Sequence, residues 1–184
     1  MKKLCALALV VAAVIAAIAL NGSGDAQTAA ADKQPPAKGP DKAAVERSRK
    51  MVKMLDNIYK QTVVLITDKY VHDEDDFAAG SAAVLLFANV SKSGSHQVRL
   101  IDATGTPYEP ANVARDDFEK EGVKRLKAGA DIYEQVVKID GKDQLRALTP
   151  VPVVLKKCIM CHEHYREAKD GEPIGAISYI VPIE

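Results

Sequence analysis

The 184-residue sequence predicts an α+β domain in which N-terminal helices pack over an antiparallel sheet. Two segments with helical apolar spacing come first, and short apolar runs bounded by turn residues follow. The Asp140-Gly141 pair between two of these runs is typical of a β-hairpin turn. Because hairpins build antiparallel sheets, we expect one such sheet with the helices to one side.

Three helices are predicted. The first begins after Asp41, a preferred N-cap residue, and its apolar residues recur at three and four positions until the pattern fades near Tyr70. A second is expected over 74–90, where acidic residues at the start suit the helix dipole. A third is expected over 112–128, just before a glycine that suits a helix C-terminus.

Four strands are predicted from apolar runs and the turn residues between them. They are expected over 96–102, 131–139, 143–151 and 171–183. The last run is apolar on both faces, so we expect it in the centre of the sheet. The segment from Pro152 to about Ala168 is expected to be a loop or short helix.

The first 26 residues predict an export signal. Two lysines precede a long apolar run, and small residues surround the expected cleavage site after Ala26. An uncleaved membrane anchor is the alternative, since the run is near the short limit for a span. Residues 27–41 are rich in Ala, Pro, Gly and charge and predict a flexible linker. This leaves 42–184 as the folded domain, which we expect in the periplasm.

Composition narrows the class of partner. Cleavage after residue 26 would remove Lys2, Lys3 and Asp25, which leaves 23 basic and 24 acidic residues and a net charge of −1. No polybasic tract stands out, so we expect no nucleic-acid partner. Cys5 lies in the expected signal and is not counted among the functional cysteines.

The sequence LKKCIMCHEHY contains the motif C-x-x-C-H, formed by Cys158, Cys161 and His162. This is the attachment sequence for a c-type haem. Its spacing lets both thiolates reach the two vinyl groups on one edge of a porphyrin, and the histidine follows as the proximal iron ligand. Covalent attachment of this kind occurs outside the cytoplasm, which agrees with the export signal. We expect one covalently bound haem c.

The motif has three alternative interpretations. A Cys158–Cys161 disulfide would suit an exported chain but leaves His162 unexplained. A thioredoxin-like redox pair needs a βαβ setting, which the predicted element order lacks. A zinc site would need adjacent ligands at Cys161 and His162, which would strain a tetrahedral geometry.

The sixth iron ligand would decide the function. Methionine raises the potential, a second histidine lowers it relative to methionine, and an open site admits gas molecules. His72 is the favoured candidate, and Met51 and Met54 on the first helix are the alternatives, although methionine on an apolar stripe usually belongs to a core. His96 reads as a strand-edge residue. His164 and Met160 are excluded because both lie too close to the proximal ligand.

Three stretches carry a family resemblance: RLIDATGTPYEPANVARDDFE (99–119), LRALTPVPVVLKKCIMCH (145–162) and GEPIGAISYIVPI (171–183). With these, most of 43–184 resembles periplasmic single-haem c-type domains of PAS-like fold. Such domains occur as free-standing haem proteins and as sensor domains of chemotaxis receptors and histidine kinases. The resemblance implies a haem held against the sheet by the N-terminal helices, bound through Cys158, Cys161 and His162.

In that family the distal ligand is cysteine, methionine or water, and this sequence lacks the cysteine version. We therefore expect a monohaem cytochrome that works in electron transfer or redox sensing and has a redox protein as its partner. The alternative is an NO- or CO-binding sensor with a labile or vacant sixth site. An enzyme is not expected, because no distal acid–base pair is recognisable. The long first helix suggests a homodimer or hetero-oligomer.

Overall fold

The computed structural model describes residues 39–73, 76–159, 163–169 and 171–184. The helices and strands are, in order, α1 (Lys42–Tyr70), α2 (Ala79–Ser93), β1 (Gln97–Asp102), α3 (Asp117–Lys127), β2 (Tyr133–Ile139), β3 (Lys142–Pro152) and β4 (Pro173–Pro182). Short 3-10 helices lie at Pro110–Asn112, Lys156–Ile159 and Glu163–Glu167. The predicted α+β class is confirmed. The proposed signal and most of the linker lie outside the described residues, so these domain boundaries stay predictions.

The four strands form one antiparallel sheet in the order β1-β4-β3-β2. The last strand is central, as predicted, and Tyr179 in its middle lies opposite Val98 on one side and Ala147 on the other. The hairpin between β2 and β3 is also confirmed. Asp140 and Gly141 both have positive φ angles, 51° and 78°, which a tight two-residue turn of type I′ requires.

The sheet is covered by helices on both faces, so the expectation that all helices lie to one side was wrong. Alternate residues of β4, Ile177 and Tyr179, pack beneath α1 and α2 against Val52, Tyr59 and Phe87. Ala176, on the opposite face of β4, joins a second cluster that includes residues of α3. That cluster consists of Ile101, Phe118, Leu126, Leu148 and Ala176. Central strands with apolar residues on both faces need cover on both faces.

The first helix lies across one face of the sheet and begins near the end of β4. The Asp41 carboxylate accepts the Ala44 N–H at 3.2 Å as the predicted N-cap. One turn further on, the Ser48 hydroxyl donates to the Pro182 carbonyl at 2.8 Å. In the middle of the helix, the Asp56 carboxylate accepts hydrogen bonds from Thr149 and Tyr179. The C-terminal end of α1 therefore reaches the opposite end of the sheet, where β4 begins.

The second helix begins at Ala79 rather than near residue 74. The Asp76 carboxylate accepts the backbone N–H groups of His72 and Asp73, which makes a turn ahead of the helix. The helix continues to Ser93, beyond the predicted end, because Gly94 takes the left-handed conformation (φ 82°) that closes it.

The third helix begins at Asp117, five residues later than predicted. The Arg99 guanidinium binds the carbonyl oxygens of Ala111 and Val113, both at 2.9 Å, and holds this segment outside the helix. The Asp116 carboxylate then accepts the Glu119 N–H at 2.9 Å and acts as the N-cap. Within the described residues, no helix combines the length and the apolar character that crossing a membrane needs.

Candidate functional site

The cysteine motif lies at the end of the sheet where β3 leaves and β4 enters. At this end Gly175 of β4 is paired with Val151 of β3 on one side and with Asp102, the last residue of β1, on the other. The chain from β3 forms the 3-10 helix Lys156–Ile159, which contains the first motif cysteine. The predicted loop or short helix is therefore present, in the part of the segment that the structure describes.

Lys157 fixes the motif to the end of α1. Its ammonium group donates to the carbonyl oxygens of Asp68 and Val71, both at 2.8 Å. The last carbonyl groups of a helix have no hydrogen-bond partner within the helix and lie at the negative end of its dipole. A lysine ammonium group there supplies both the missing donors and a favourable positive charge. Cys158 is consequently held beside the last turn of α1.

Of the three predicted attachment residues, the structure locates one. Cys158 is a half-buried free cysteine, and its backbone N–H donates to the Leu155 carbonyl at 3.0 Å. Cys161 and His162 lie outside the described residues, as does Met160. The backbone of His164 belongs to the 3-10 helix Glu163–Glu167, but its side chain is not described. The complete ligand set therefore stays a prediction.

Tyr165 is a residue of this site that the sequence did not single out. Its half-buried ring lies in the 3-10 helix that follows the motif. Burial, together with the negative charges of nearby Asp102 and Cys158, raises the pKa of Tyr165 to about 12. This tyrosine therefore stays a neutral phenol between the end of β1 and the first motif cysteine. In the sequence, only its position three residues after His162 indicated that it could lie close to the motif.

The favoured distal candidate, His72, lies at the same end of the molecule as the motif. It follows Val71, whose carbonyl oxygen binds Lys157, and its side chain is exposed. Its backbone N–H donates to the Asp76 carboxylate at 2.6 Å, and this bond is the main reason that the pKa of Asp76 is lowered. The backbone around His72 is thus fixed by hydrogen bonds on both sides.

The two candidate methionines lie far along α1 from the carbonyl groups that Lys157 binds. Met54 is exposed and precedes Asp68 by 14 residues, a distance of about 21 Å at 1.5 Å per residue. Met51 is one turn further away.

The side chain of His96 is hydrogen-bonded to two residues away from the motif. It is buried, and its Nε2 lies 2.9 Å from the Tyr59 hydroxyl while its Nδ1 lies 3.1 Å from the Ser95 hydroxyl. Burial lowers the pKa of His96, so the ring is neutral near pH 7. A neutral ring that accepts a hydrogen bond from the Tyr59 hydroxyl at Nε2 donates its Nδ1–H to the Ser95 hydroxyl. This residue belongs to the core beneath α1.

Exposed apolar side chains surround the motif end of the molecule. They are Tyr70 at the end of α1, Phe77 before α2 and Val154 after β3, with exposures of 72%, 63% and 56%. Large exposed apolar groups in one region mark a binding surface. In the part of the chain that the structure describes, no three His, Cys, Asp or Glu side chains are grouped as a metal site.

Known proteins resemble this chain in sequence pattern and in fold. The model of the Tll0287-like family matches residues 34–182. The solved structure of the cyanobacterial heme-protein Tll0287 superposes with a TM-score of 0.56 at 13% identity, over 74% of this chain and 95% of that one. Among curated protein sequences, none matches this chain. The resemblance inferred from the three sequence stretches is confirmed. The chain belongs to the Tll0287-like family.

Proposed function

We propose that this protein is a periplasmic c-type haem protein with a single haem. Cys158 and Cys161 would form the two thioether bonds, and His162 would bind the iron from the proximal side. The observation that carries the proposal is the C-x-x-C-H motif, whose first cysteine is fixed beside the end of α1 by Lys157. Membership of a family that includes the heme-protein Tll0287 supports it.

The residues at the motif end suit a large planar cofactor. Tyr70, Phe77 and Val154 offer exposed apolar surface that a porphyrin face would cover. Tyr165 adds a half-buried ring beside Cys158 and remains uncharged at neutral pH. When bound, the iron would supply one-electron redox chemistry, and its potential would depend on the axial ligands and on burial.

His72 is the distal ligand that the geometry supports best. It lies next to Val71, whose carbonyl Lys157 binds, whereas Met54 precedes Asp68, the other residue bound by Lys157, by 14 residues, or about 21 Å along the helix. Met51 is further still. The imidazole of His72 is exposed, so it would be accessible to the iron of a haem held at the motif.

Electron transfer or redox sensing, with a redox protein as partner, is the function we propose. Electron transfer needs no acid–base pair of the kind that a haem enzyme uses. A specific observation favours the alternative, an NO or CO sensor: the backbone around His72 is bonded, but its side chain is exposed. An exposed imidazole can leave the iron, which would open the sixth site to a diatomic ligand.

The reduced visible spectrum of His72→Ala before and after CO would test the assignment. If His72 is the ligand, the wild type gives sharp low-spin bands, and the variant becomes high-spin and binds CO at once. Met54→Leu is the matched control and should leave the bands unchanged. A low-spin spectrum in His72→Ala would exclude His72. Rapid CO binding by the wild type would favour the sensor over the electron carrier.

A further inference from the structure

A cavity of about 190 Å³ lies at the outer edge of the sheet, where β1 meets the first turn of α3. The residues that line it are mainly polar and come from separate parts of the chain. They include Arg99 of β1, Ser178 of β4, Glu119 of α3, and Arg115 from the segment ahead of α3. The function proposed above uses none of these four side chains.

A buried ion pair lines the cavity. The Arg99 guanidinium lies 2.6 Å from Glu119 Oε2, and only 4% of Glu119 is exposed. The same oxygen accepts the Arg115 backbone N–H at 2.8 Å. Glu119 Oε1, in contrast, accepts no hydrogen bond from the residues that the structure describes. Because buried polar atoms are normally hydrogen-bonded, this oxygen can take one more donor.

The Ser178 hydroxyl is a second group without a partner. Ser178 is 4% exposed, and its hydroxyl makes no hydrogen bond within the described part of the chain. Among the described side chains, the one polar atom that is both fully enclosed and unpartnered is Arg146 Nε. The Ser178 hydroxyl and Glu119 Oε1 are therefore not fully enclosed and open into the cavity that both residues line. Two such groups in one cavity indicate a polar ligand.

Arg115 gives the cavity a net positive charge. Its side chain is exposed, and the bond from its guanidinium to the Ala111 carbonyl is long, at 3.4 Å. No carboxylate of a described residue pairs with this guanidinium, whereas Arg99 is paired with Glu119. Two guanidinium groups and one carboxylate leave a charge of +1, which suits a ligand with one negative charge. Guanidinium groups bind carboxylates in particular.

We infer that the cavity binds a small hydroxycarboxylate, a monoanion that carries a hydroxyl group beside its carboxylate. The ligand carboxylate accepts hydrogen bonds from the Arg115 guanidinium. The ligand hydroxyl donates to Glu119 Oε1 and accepts from the Ser178 hydroxyl, so both unpartnered groups gain a partner. The volume of about 190 Å³ is below the usual range for drug-sized ligands, which limits the ligand to a few carbon atoms.

The test is calorimetry of the haem-loaded full-length protein with L-lactate, compared with propionate and L-alanine. Lactate should bind with a Kd of about 1 mM or lower. Propionate lacks the hydroxyl group and should bind at least about threefold more weakly. L-Alanine has a similar shape but no net charge, so it should also bind more weakly than lactate. A higher Kd for lactate, or a preference for propionate or L-alanine, would overturn the inference.

One pair of variants assigns lactate binding to the cavity. Arg115→Gln should raise the lactate Kd by at least about tenfold, because a charge-assisted contact is lost. Arg125→Gln is the matched control. It removes an exposed guanidinium that pairs with Glu121 of α3 outside the cavity, and it should leave the Kd unchanged. Equal effects of the two substitutions would contradict the assignment.

Ser178→Ala separates a ligand contact from a structural one. The substitution should raise the lactate Kd about two- to tenfold. It should not lower the free energy of unfolding, because the hydroxyl has no partner in the described part of the chain to lose. Thermal unfolding measures this. A loss of stability would mean that the hydroxyl is bonded within the protein, and that result or unchanged lactate binding would overturn the inference.

The visible spectrum distinguishes the cavity from the iron as the place where lactate binds. Lactate in the cavity should leave the Soret band of the wild type in place. A Soret shift that follows lactate binding would mean that the carboxylate binds the iron, and would overturn the inference. Protein without haem would contradict the function proposed above and leave the lactate test intact.

Discussion

At the scale of single residues, Lys157 is the side chain that joins the motif to the fold. It satisfies two carbonyl groups at the end of α1, those of Asp68 and Val71. Lys157→Ala should lower the free energy of unfolding by about 1–2 kcal/mol, because a charged donor is lost and a carbonyl loses its partner. Lys156→Ala is the control, since that residue is exposed, and should change stability by less than about 0.5 kcal/mol. Urea unfolding of both variants measures the difference. Equal values for the two would contradict the anchoring role.

His96 gives stability a pH dependence. Burial lowers its pKa in the folded protein, whereas the unfolded chain has the ordinary value near 6.5. The unfolded state therefore binds more protons below about pH 6.5, and stability falls from there until the pH passes the folded-state pKa. His96→Gln does not titrate and should flatten this part of the stability curve. If the wild-type and variant curves stay parallel between pH 5 and 7, the assignment of a buried neutral histidine is wrong.

Attachment residues could be proposed from the sequence only because the chemistry of haem attachment fixes their spacing. Cys158, Cys161 and His162 follow from a short motif. The roles of Tyr165 and Lys157 could not be predicted, because they depend on which helix end lies beside the motif. The contact of Lys157 with that helix end joins residues almost 90 positions apart in the sequence. Sequence alone also left Met51 and Met54 open as ligands, because periodicity shows that they share a helix face without showing what that face meets.

At the scale of elements, α3 lies against the β2–β3 hairpin at a glycine. A Cβ atom on buried Gly122 would lie 2.8 Å from Leu148 Cδ2 and 2.9 Å from Tyr133 Cδ1. Gly122→Ala should therefore destabilise the fold by about 1–2 kcal/mol, although alanine favours helix. Gly80→Ala in α2 is the matched control. Nothing lies within 4 Å of its Cβ position, so it should raise stability by up to about 1 kcal/mol. Thermal unfolding compares them, and a stabilising Gly122→Ala would mean that α3 packs more loosely.

Element types were predicted well and element starts less well. α1 and β4 have long apolar patterns, and their positions follow from the sequence. The starts of α2 and α3 do not, because they depend on tertiary bonds. Arg99 of β1 holds the carbonyls of Ala111 and Val113 outside α3. No local pattern reveals an arginine that acts from another element.

At the scale of the whole molecule, the sheet separates two layers of helices that have different roles. On one face, α1 and α2 cover the core, and the end of α1 holds Lys157 and the first motif cysteine beside it. On the other face, α3 closes the second cluster. The prediction that all helices lie on one side was wrong because it was based on the hairpins alone. Both faces of β4 are apolar, and such a strand needs helices over both faces of the sheet. The proposed redox site is thus anchored at the end of one helix, α1.

The central claim is that haem is attached covalently at the motif. The most direct measurement is the visible spectrum of protein purified from a haem-maturing host, before and after extraction with acidified acetone. The account predicts a Soret band that stays with the wild-type protein and is lost from a Cys158→Ala/Cys161→Ala variant. A wild-type protein without a Soret band, or one whose colour passes into the solvent, would contradict it and return the motif to a disulfide or a zinc site.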